Sequence, residues 1–446
     1  MMNKLFYIPI VLVSLLFSTG KALYGEESVK RKLIILSIDG FPGYYAGEDS
    51  REWSSLHYLP ELAGKSAFSN KVRSTFPTLT YPAHTTMITG VDPFLHGIFY
   101  NNPYDPESKL KGDWFWYDSD IRVKTIFDFA KEANLKTANL YWPVTVGANI
   151  DFSIPQFWSS KTEDDRKILS ALSTPGLYKF LKKKTKSYVG EFTGDIEKIE
   201  SALALWEAKS PDLMLVYSTD LDTFHHTHGV SSGRAFEKLK TIDKLVGKMI
   251  AKLDLWNRND LAFLIVSDHG FKRVDGICYP NVVLSQNNLV GKNQKKKPYQ
   301  FKSLGGSAVL LDNSEENSRK ASRSTPVDKI SSLVSSACPG VKVLKEKSDT
   351  LLGETHAFFE TSLILYSENN SVFSESFRPT KPYRATNPVY YNHGFLPGDS
   401  DMETISIFYT PGAKPEPIEN LNQVLMRSCN WLGISCKPGE SRNFEE

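Results

Sequence analysis

Three short, uninterrupted apolar runs punctuate the chain: Lys32–Ile38 (KLIILSI), Asp212–Ser218 (DLMLVYS) and Leu261–Ser267 (LAFLIVS). Runs of that length without polar alternation predict strands buried on both faces. Between them the apolar positions fall at helical period. Residues 54–66, Ile121–Ala133 and Thr193–Lys209 read as helices, and Ser231–Leu255 puts Phe236, Leu239, Ile242, Leu245, Val246, Met249 and Ile250 on one long helical face. Thr137–Trp142 and Thr404–Tyr409 add two further strands. Strands alternating with helices predict an α/β fold, a mostly parallel central sheet with helices on both faces.

From Val274 to about Pro388 the texture changes to polar loops and shorter apolar runs (Ser307–Leu311, Ser362–Tyr366), with no long helix expected. The division this predicts is an α/β core over residues 30–273, a small inserted subdomain over 274–388, and a return to the core with a C-terminal tail over 389–446. Residues 1–22 read as a signal peptide: Lys4 precedes the apolar run Leu5–Phe17, and Ser18, Thr19, Gly20 and Ala22 follow. That run is short for a membrane span, so the expectation is a secreted or periplasmic protein, with an uncleaved anchor as the alternative.

Composition changes this picture little. The chain has 446 residues, 41% of them hydrophobic and 23% charged, which are ordinary globular values. A net charge of +2 argues against a dedicated nucleic-acid binder. The lysine runs Lys182–Lys186 and Lys292–Lys297 read as solvated loops, a minor pull on anionic substrates being the alternative. All four cysteines lie late in the chain, at Cys278, Cys338, Cys429 and Cys436. Cys429 and Cys436 are expected to pair, the other two to pair or stay free. The lack of a C-x-x-C spacing disfavours a thiolate zinc site.

The chemistry-bearing residues follow the strands. Asp39, Asp222 and Asp268 each come at or just after the C-terminal end of a predicted buried strand, the edge where open parallel sheets carry function. Three buried acids at one rim repel one another unless cations neutralise them. His226 lies four residues after Asp222, His269 adjoins Asp268, and His393 precedes a late strand. Such a set suits two divalent ions, zinc first. Asp220 competes with Asp222 for this role, and His225 and His228 with His226. The stretch Phe76–Asn101 supplies a nucleophile candidate: Pro82 fits the first turn of a helix that stops at Gly90, which leaves Thr80 and Tyr81 at its N-terminus, where anions are favoured. An N-cap role is the plainer reading of Thr80 taken alone.

Taken together these motifs resemble the type I phosphodiesterase/nucleotide pyrophosphatase family of the alkaline phosphatase superfamily. FPTLTYPAH is similar to the family's nucleophile motif, and His96-Gly97-Ile98-Phe99-Tyr100-Asn101 to its H-G-I-x-x-N. D-x-x-x-H-x-x-G falls on Asp222, His226 and Gly229, S-D-H-G on Ser267–Gly270, and the late H-G on His393-Gly394. The chain departs from the family pattern at Tyr81, Ala83, His225, Phe271 and Asn392, none of which is a ligand position.

The resemblance implies an alkaline phosphatase-like fold and an enzyme that cleaves phosphodiester or pyrophosphate bonds of small nucleotides through a phospho-threonine intermediate. It implies Thr80 as nucleophile, and Asn101 with the Tyr81 backbone as contacts to phosphoryl oxygens. One metal would be held by Asp222, His226 and His393, the other by Asp39, Asp268, His269 and Thr80. Tyr81 and Tyr217 match positions where relatives stack a nucleobase. Relatives of similar layout act instead on phospholipid-headgroup esters, phosphonoacetate or phosphomonoesters. An inactive metal-binding scaffold would require a lost ligand, and none is missing.

Overall fold

The structure, a computed structural model, describes residues 30–103, 113–158, 163–186, 193–290, 298–312, 324–344, 363–412 and 414–442. The N-terminal segment and the Lys292–Lys297 run lie outside the described residues. The strands are β1 (Lys32–Ile38), β2 (Ala67–Val72), β3 (Thr137–Leu140), β4 (Phe152–Ile154), β5 (Leu213–Ser218) and β6 (Leu261–Val266), then β7 (Lys272–Cys278), β8 (Tyr299–Ser303), β9 (Ser307–Asp312), β10 (Val341–Leu344), β11 (Ile364–Ser367), β12 (Ser371–Phe373), β13 (Tyr383–Asn392) and β14 (Thr404–Tyr409). The helices that matter below are α1 (Tyr58–Gly64), α2 (Thr80–Thr89), α3 (Ile126–Glu132), α4 (Asp195–Lys209), α5 (Asp220–His228), α6 (Gly233–Lys252), α7 (Ser324–Ala337) and α8 (Gln423–Leu432).

A seven-stranded sheet in the order β2-β14-β6-β1-β5-β3-β4 forms the centre. β1, β3, β4, β5 and β6 run parallel, and β14 is antiparallel to both β6 and β2. The strands at the middle are apolar on both faces because both faces are covered: every residue of β5 and β6 is buried. Register then decides the site. Ser37 of β1 sits level with Tyr217 of β5 and Val266 of β6, so the chain leaves all three strands at one edge.

Two smaller sheets lie outside this core, one of four strands (β10-β11-β9-β8) and one of three (β12-β7-β13). Phe301, Ala308, Leu310, Ile330, Val334 and Leu365 form a core of their own beneath them. Helix α7, 14 residues long, corrects the expectation that no long helix occurs after Val274. Its sequence STPVDKISSLVSSA dilutes the apolar stripe with serines, yet Ile330 and Val334, one turn apart, are fully buried. A disulfide between Cys278 and Cys338 fastens the end of β7 to the residue after α7, and Cys429–Cys436 closes a small loop at the end of α8.

Other boundaries moved for local reasons. The run over 54–66 is two helical pieces, Arg51–Ser54 and α1, because the buried Asp243 carboxylate accepts the backbone N–H groups of His57 (3.0 Å) and Leu59 (2.7 Å) and sets a new start. The segment after β5 folds as α5, which had no element expected on it.

The core and the outer sheets meet where Phe76, Leu79, Tyr100, Leu304, Val309 and Leu396 cluster. There Gly394, at φ +81°, passes so close to the backbone that a Cβ would lie 1.5 Å from the Leu304 carbonyl oxygen. The Ser307 hydroxyl donates to the Gly394 carbonyl (2.7 Å) and the Gly306 N–H to the His393 carbonyl (3.0 Å). This crossing fixes His393. Gly394→Ala is therefore expected to destabilise the protein by about 3 kcal/mol, since a left-handed backbone and a backbone clash combine. Urea unfolding of the two proteins measures it.

Candidate active site

Helix α2 begins at Thr80 itself, with Leu79 extended before it and Gly90, at φ 68°, ending it. Its first residue is buried and faces the edge of the sheet. The Thr80 hydroxyl lies 3.4 Å from His269 Nε2. His269 Nδ1 donates to the Gly270 carbonyl (3.2 Å), which leaves the Nε2 lone pair facing Thr80 and the acids.

His84, one turn into α2, anchors this start. Its Nδ1–H donates to the Thr80 carbonyl (2.8 Å) and its Nε2 accepts from the Ser37 hydroxyl on β1 (2.8 Å). The ring is fully buried, its edge against Trp142 and Tyr217, and burial holds its pKa below the usual histidine range. His84 thus ties the start of α2, with Thr80, to β1, the strand that Asp39 follows. Nothing in its spacing marked it beyond the i, i+4 relation to Thr80.

The three aspartates converge as the strand pattern implied. Asp39 accepts a short hydrogen bond from the Tyr217 hydroxyl through Oδ2, and Asp268 accepts the Gly40 N–H (3.0 Å) through Oδ1. In each of Asp39, Asp222 and Asp268 one buried carboxylate oxygen has no hydrogen-bond partner. His269 Nε2 lies 3.3 Å from Asp268 and 3.6 Å from Asp39, and His226 Nε2 lies 3.4 Å from Asp222 one turn along α5. The rings of His269 and His393 stack at 3.7 Å. His393 Nδ1 donates to the Thr78 carbonyl (3.0 Å), so its Nε2 also keeps a lone pair.

Burial, then the charges of Asp268 and Asp222, pushes Asp39 well above the usual carboxylate range. Burial pushes Asp222 the same way, but His226, then His393 and His269, hold it far below that range. Burial likewise works against Asp268, which His269 and His84 hold down. His393 is lowered to about 3 by burial and by its two histidine neighbours. Two groups of donor atoms stand close enough to share an ion: Asp39, Asp268 and His269, and Asp222, His269 and His393. Orphaned carboxylate oxygens beside imidazole lone pairs are a donor set that divalent cations fit. His269 stands in both groups, while His226 stands next to Asp222 outside them.

The competing neighbours are taken up elsewhere. Asp220 accepts from Lys238 (2.6 Å) and from the Asp195 N–H (3.2 Å). His225 is buried with Nε2 3.0 Å from the Tyr45 hydroxyl, and His228 is exposed against Arg234. Phe271 sets its ring edge-on to His225, His226, His269 and His393 and walls the cluster with apolar surface.

Two expectations about substrate contacts change. The Tyr217 ring lies in the core, 2% exposed, and orients Asp39 rather than offering a stacking face. The Tyr81 ring is fully covered, behind Trp114 at 5.1 Å between ring centres. Half-buried Trp114 and Trp158, 4.9 Å apart, are the aromatic surface this cluster turns outward. Trp114 lies in the dense aromatic stretch Trp114–Tyr117, while Trp158 carries no such signal. Asn101 accepts the Tyr81 N–H through Oδ1 (3.0 Å), which leaves its amide N–H groups to donate.

Comparison with known proteins agrees with this geometry. Murine ectonucleotide pyrophosphatase/phosphodiesterase 5, solved as an inactive variant in complex with AMP, superposes with a TM-score of 0.60 over 92% of this chain and 97% of its own, at 16% identity. The human protein of that name is 18% identical at the same TM-score, with 92% of this chain and 97% of its own covered. Both share the alkaline phosphatase-like fold described above. In sequence, ectonucleotide pyrophosphatase/phosphodiesterase family member 1 of Mus musculus is 26% identical over 265 residues, 57% of this chain and 25% of the relative. Venom phosphodiesterase of Naja atra is 26% identical over 250 residues, 54% of this chain and 26% of the relative. The matched region spans about a quarter of the length of these curated relatives. The profile described as type I phosphodiesterase / nucleotide pyrophosphatase matches residues 33–391, from β1 to the residue before Asn392-His393, and with the fold in agreement the chain belongs to that family.

Proposed function

We propose that this protein is a metal-dependent hydrolase of phosphodiester or pyrophosphate bonds in small nucleotides or their derivatives. The carrying observation is the Thr80 hydroxyl at the first residue of a helix, 3.4 Å from His269 Nε2, beside three acids with unpaired buried oxygens. Asp39, Asp268, His269 and Thr80 would hold one divalent ion, most readily zinc, and Asp222, His226 and His393 a second. When bound, such ions neutralise the acids, lower the proton affinity of the attacking hydroxyl and stabilise charge on phosphoryl oxygens.

The chain's own residues do the rest. Thr80 Oγ forms a bond to phosphorus as its O–H bond and the bond to one ester substituent break; the departing oxygen keeps the electron pair and ends with the proton that Thr80 gives up. Water then displaces Thr80 from phosphorus, releasing the phosphomonoester and restoring the hydroxyl. Two displacements give net retention. His84 holds the Thr80 backbone during both, and the positive end of the α2 dipole favours the anion there. Asn101, whose side-chain oxygen accepts the Tyr81 N–H, would give its amide N–H groups to a non-bridging oxygen. Trp114 and Trp158 support a nucleobase as the group recognised.

Two disulfides support an oxidising compartment, in line with export by the N-terminal segment. Among the described residues no helix is long and apolar enough to cross a membrane.

Thr80→Ala should lower turnover of bis-p-nitrophenyl phosphate about a thousandfold or more with little change in thermal midpoint, and Thr80→Ser should retain partial rate. A Thr80→Ala enzyme working near wild-type rate would remove Thr80 as nucleophile. Chelation by EDTA is expected to lower the thermal midpoint together with activity, and added zinc to restore both, because ions bound only by the folded state stabilise it. An active preparation holding no metal by elemental analysis would defeat this.

Diesters should be preferred over monoesters by about tenfold or more in kcat/KM. A monoester brings a second charge that calls for a cation, and Thr137–Asn149 (TANLYWPVTVGAN), which holds β3 and the Trp142 ring packed on His84, has none. Bis-p-nitrophenyl phosphate against p-nitrophenyl phosphate, in one zinc buffer, makes the comparison. Preference for the monoester would place the activity with the phosphomonoesterases.

A further inference from the structure

A cavity of about 410 Å³ opens between the core and the outer sheets, lined among others by Leu79, Tyr100, Asn101, Lys302, Glu375 and Asn392. Leu79 precedes Thr80 and Asn392 precedes His393, so the cavity adjoins the phosphoryl site at three places, Asn101 being the third. Its size is that of pockets that bury small ligands.

Three of its polar groups have donors left to give. Asn101 spends its side-chain oxygen on the Tyr81 N–H (3.0 Å), and Asn392 spends its own on the His393 N–H (2.9 Å). Both amides therefore keep N–H groups to give. Lys302, on β8, is the one cation among the described lining residues. It lies 3.2 Å from Glu375 and over the Tyr100 ring at 5.8 Å. Glu375 accepts that ammonium and the Ser303 N–H (3.2 Å) on one oxygen, Oε1. An ammonium has three N–H groups and one carboxylate oxygen takes one. Lys302 and the two amides thus keep donors for an anion, beside acceptors left on Glu375 Oε2 and Asn102.

Resting on the phosphodiesterase reading, we propose that this cavity receives the departing ester substituent and that Lys302 selects substituents carrying their own negative charge, a further phosphate or a carboxylate. The group transferred to Thr80 then stays on the core side, and the charged partner leaves through residues of the outer sheets. For a nucleoside triphosphate the Thr80 Oγ–Pα bond forms as the O–H bond and the bond from Pα to the bridging oxygen break, and pyrophosphate departs with the electron pair and the proton.

The test holds the transferred group constant. Thymidine 5′-triphosphate and p-nitrophenyl thymidine 5′-monophosphate both transfer the same nucleotide; only the departing group differs in charge. Lys302→Met should lower the ratio of their kcat/KM values about tenfold, the worth of one charge-assisted hydrogen bond. Lys302→Arg should recover most of the ratio. Glu375→Gln, which frees the lysine without touching it, should raise the ratio and tests the idea even where Lys302→Met folds poorly.

An unmoved ratio in Lys302→Met, or a fall in Glu375→Gln, overturns the assignment. So does a wild-type preference for glycerophosphocholine that Glu375→Gln abolishes, since the cavity would then take a cationic group. Wild-type protein that turns over neither thymidine substrate with zinc refutes the phosphodiesterase reading itself. Turnover of both, with Lys302 variants leaving the ratio untouched, refutes only the pocket.

Discussion

Burying three carboxylates at one sheet edge is the constraint on which this structure turns. The register of β1 against β5 and β6 brings the chain out of all three strands together, and Asp39, Asp222 and Asp268 cannot avoid one another. Each leaves one oxygen without a hydrogen bond in a place where water has little access. A fold built for stability alone would have put apolar residues there. The neighbouring histidines keep their Nε2 lone pairs inward because His269 and His393 spend Nδ1 on backbone carbonyls, so even the tautomers are chosen by the fold.

Around that edge the supporting contacts are short and mostly buried. His84 joins α2 to β1, Tyr217 joins β5 to Asp39, and Gly394 lets the late chain cross within touching distance of Leu304. These ties run between elements far apart in sequence. They hold Thr80, the three aspartates and the histidines beside them in one frame without relying on loops to find their place.

Much of this was legible in the sequence, and the reasons for the rest are specific. The central strands read correctly because burial on both faces leaves no polar residue to confuse the pattern, and the carboxylates at their ends followed from topology. Choosing Asp222 over Asp220 and His226 over His225 was not open to spacing. In the fold Asp220 turns to Lys238 and His225 to Tyr45, so α5 sets them apart from Asp222 and His226. Tyr217 misled because a tyrosine in an apolar strand can either face a ligand or hold one, and only its hydroxyl's partner tells which. Helix α7 was hidden by its serines. Lys302 and Glu375 carry no motif at all, and become neighbours only when the strands after Val274 fold against the core.

His269 and His393 stack ring on ring, yet the four-stranded and three-stranded sheets are both threaded through the residues between them. A cation held by Asp222 and His393 would act as a clasp on that long loop, much as a disulfide does, by denying the unfolded chain its freedom. The half of the site that comes last in synthesis would then be the one that locks the outer sheets. Loosening those sheets would be felt at the cation before the parallel strands beneath gave way.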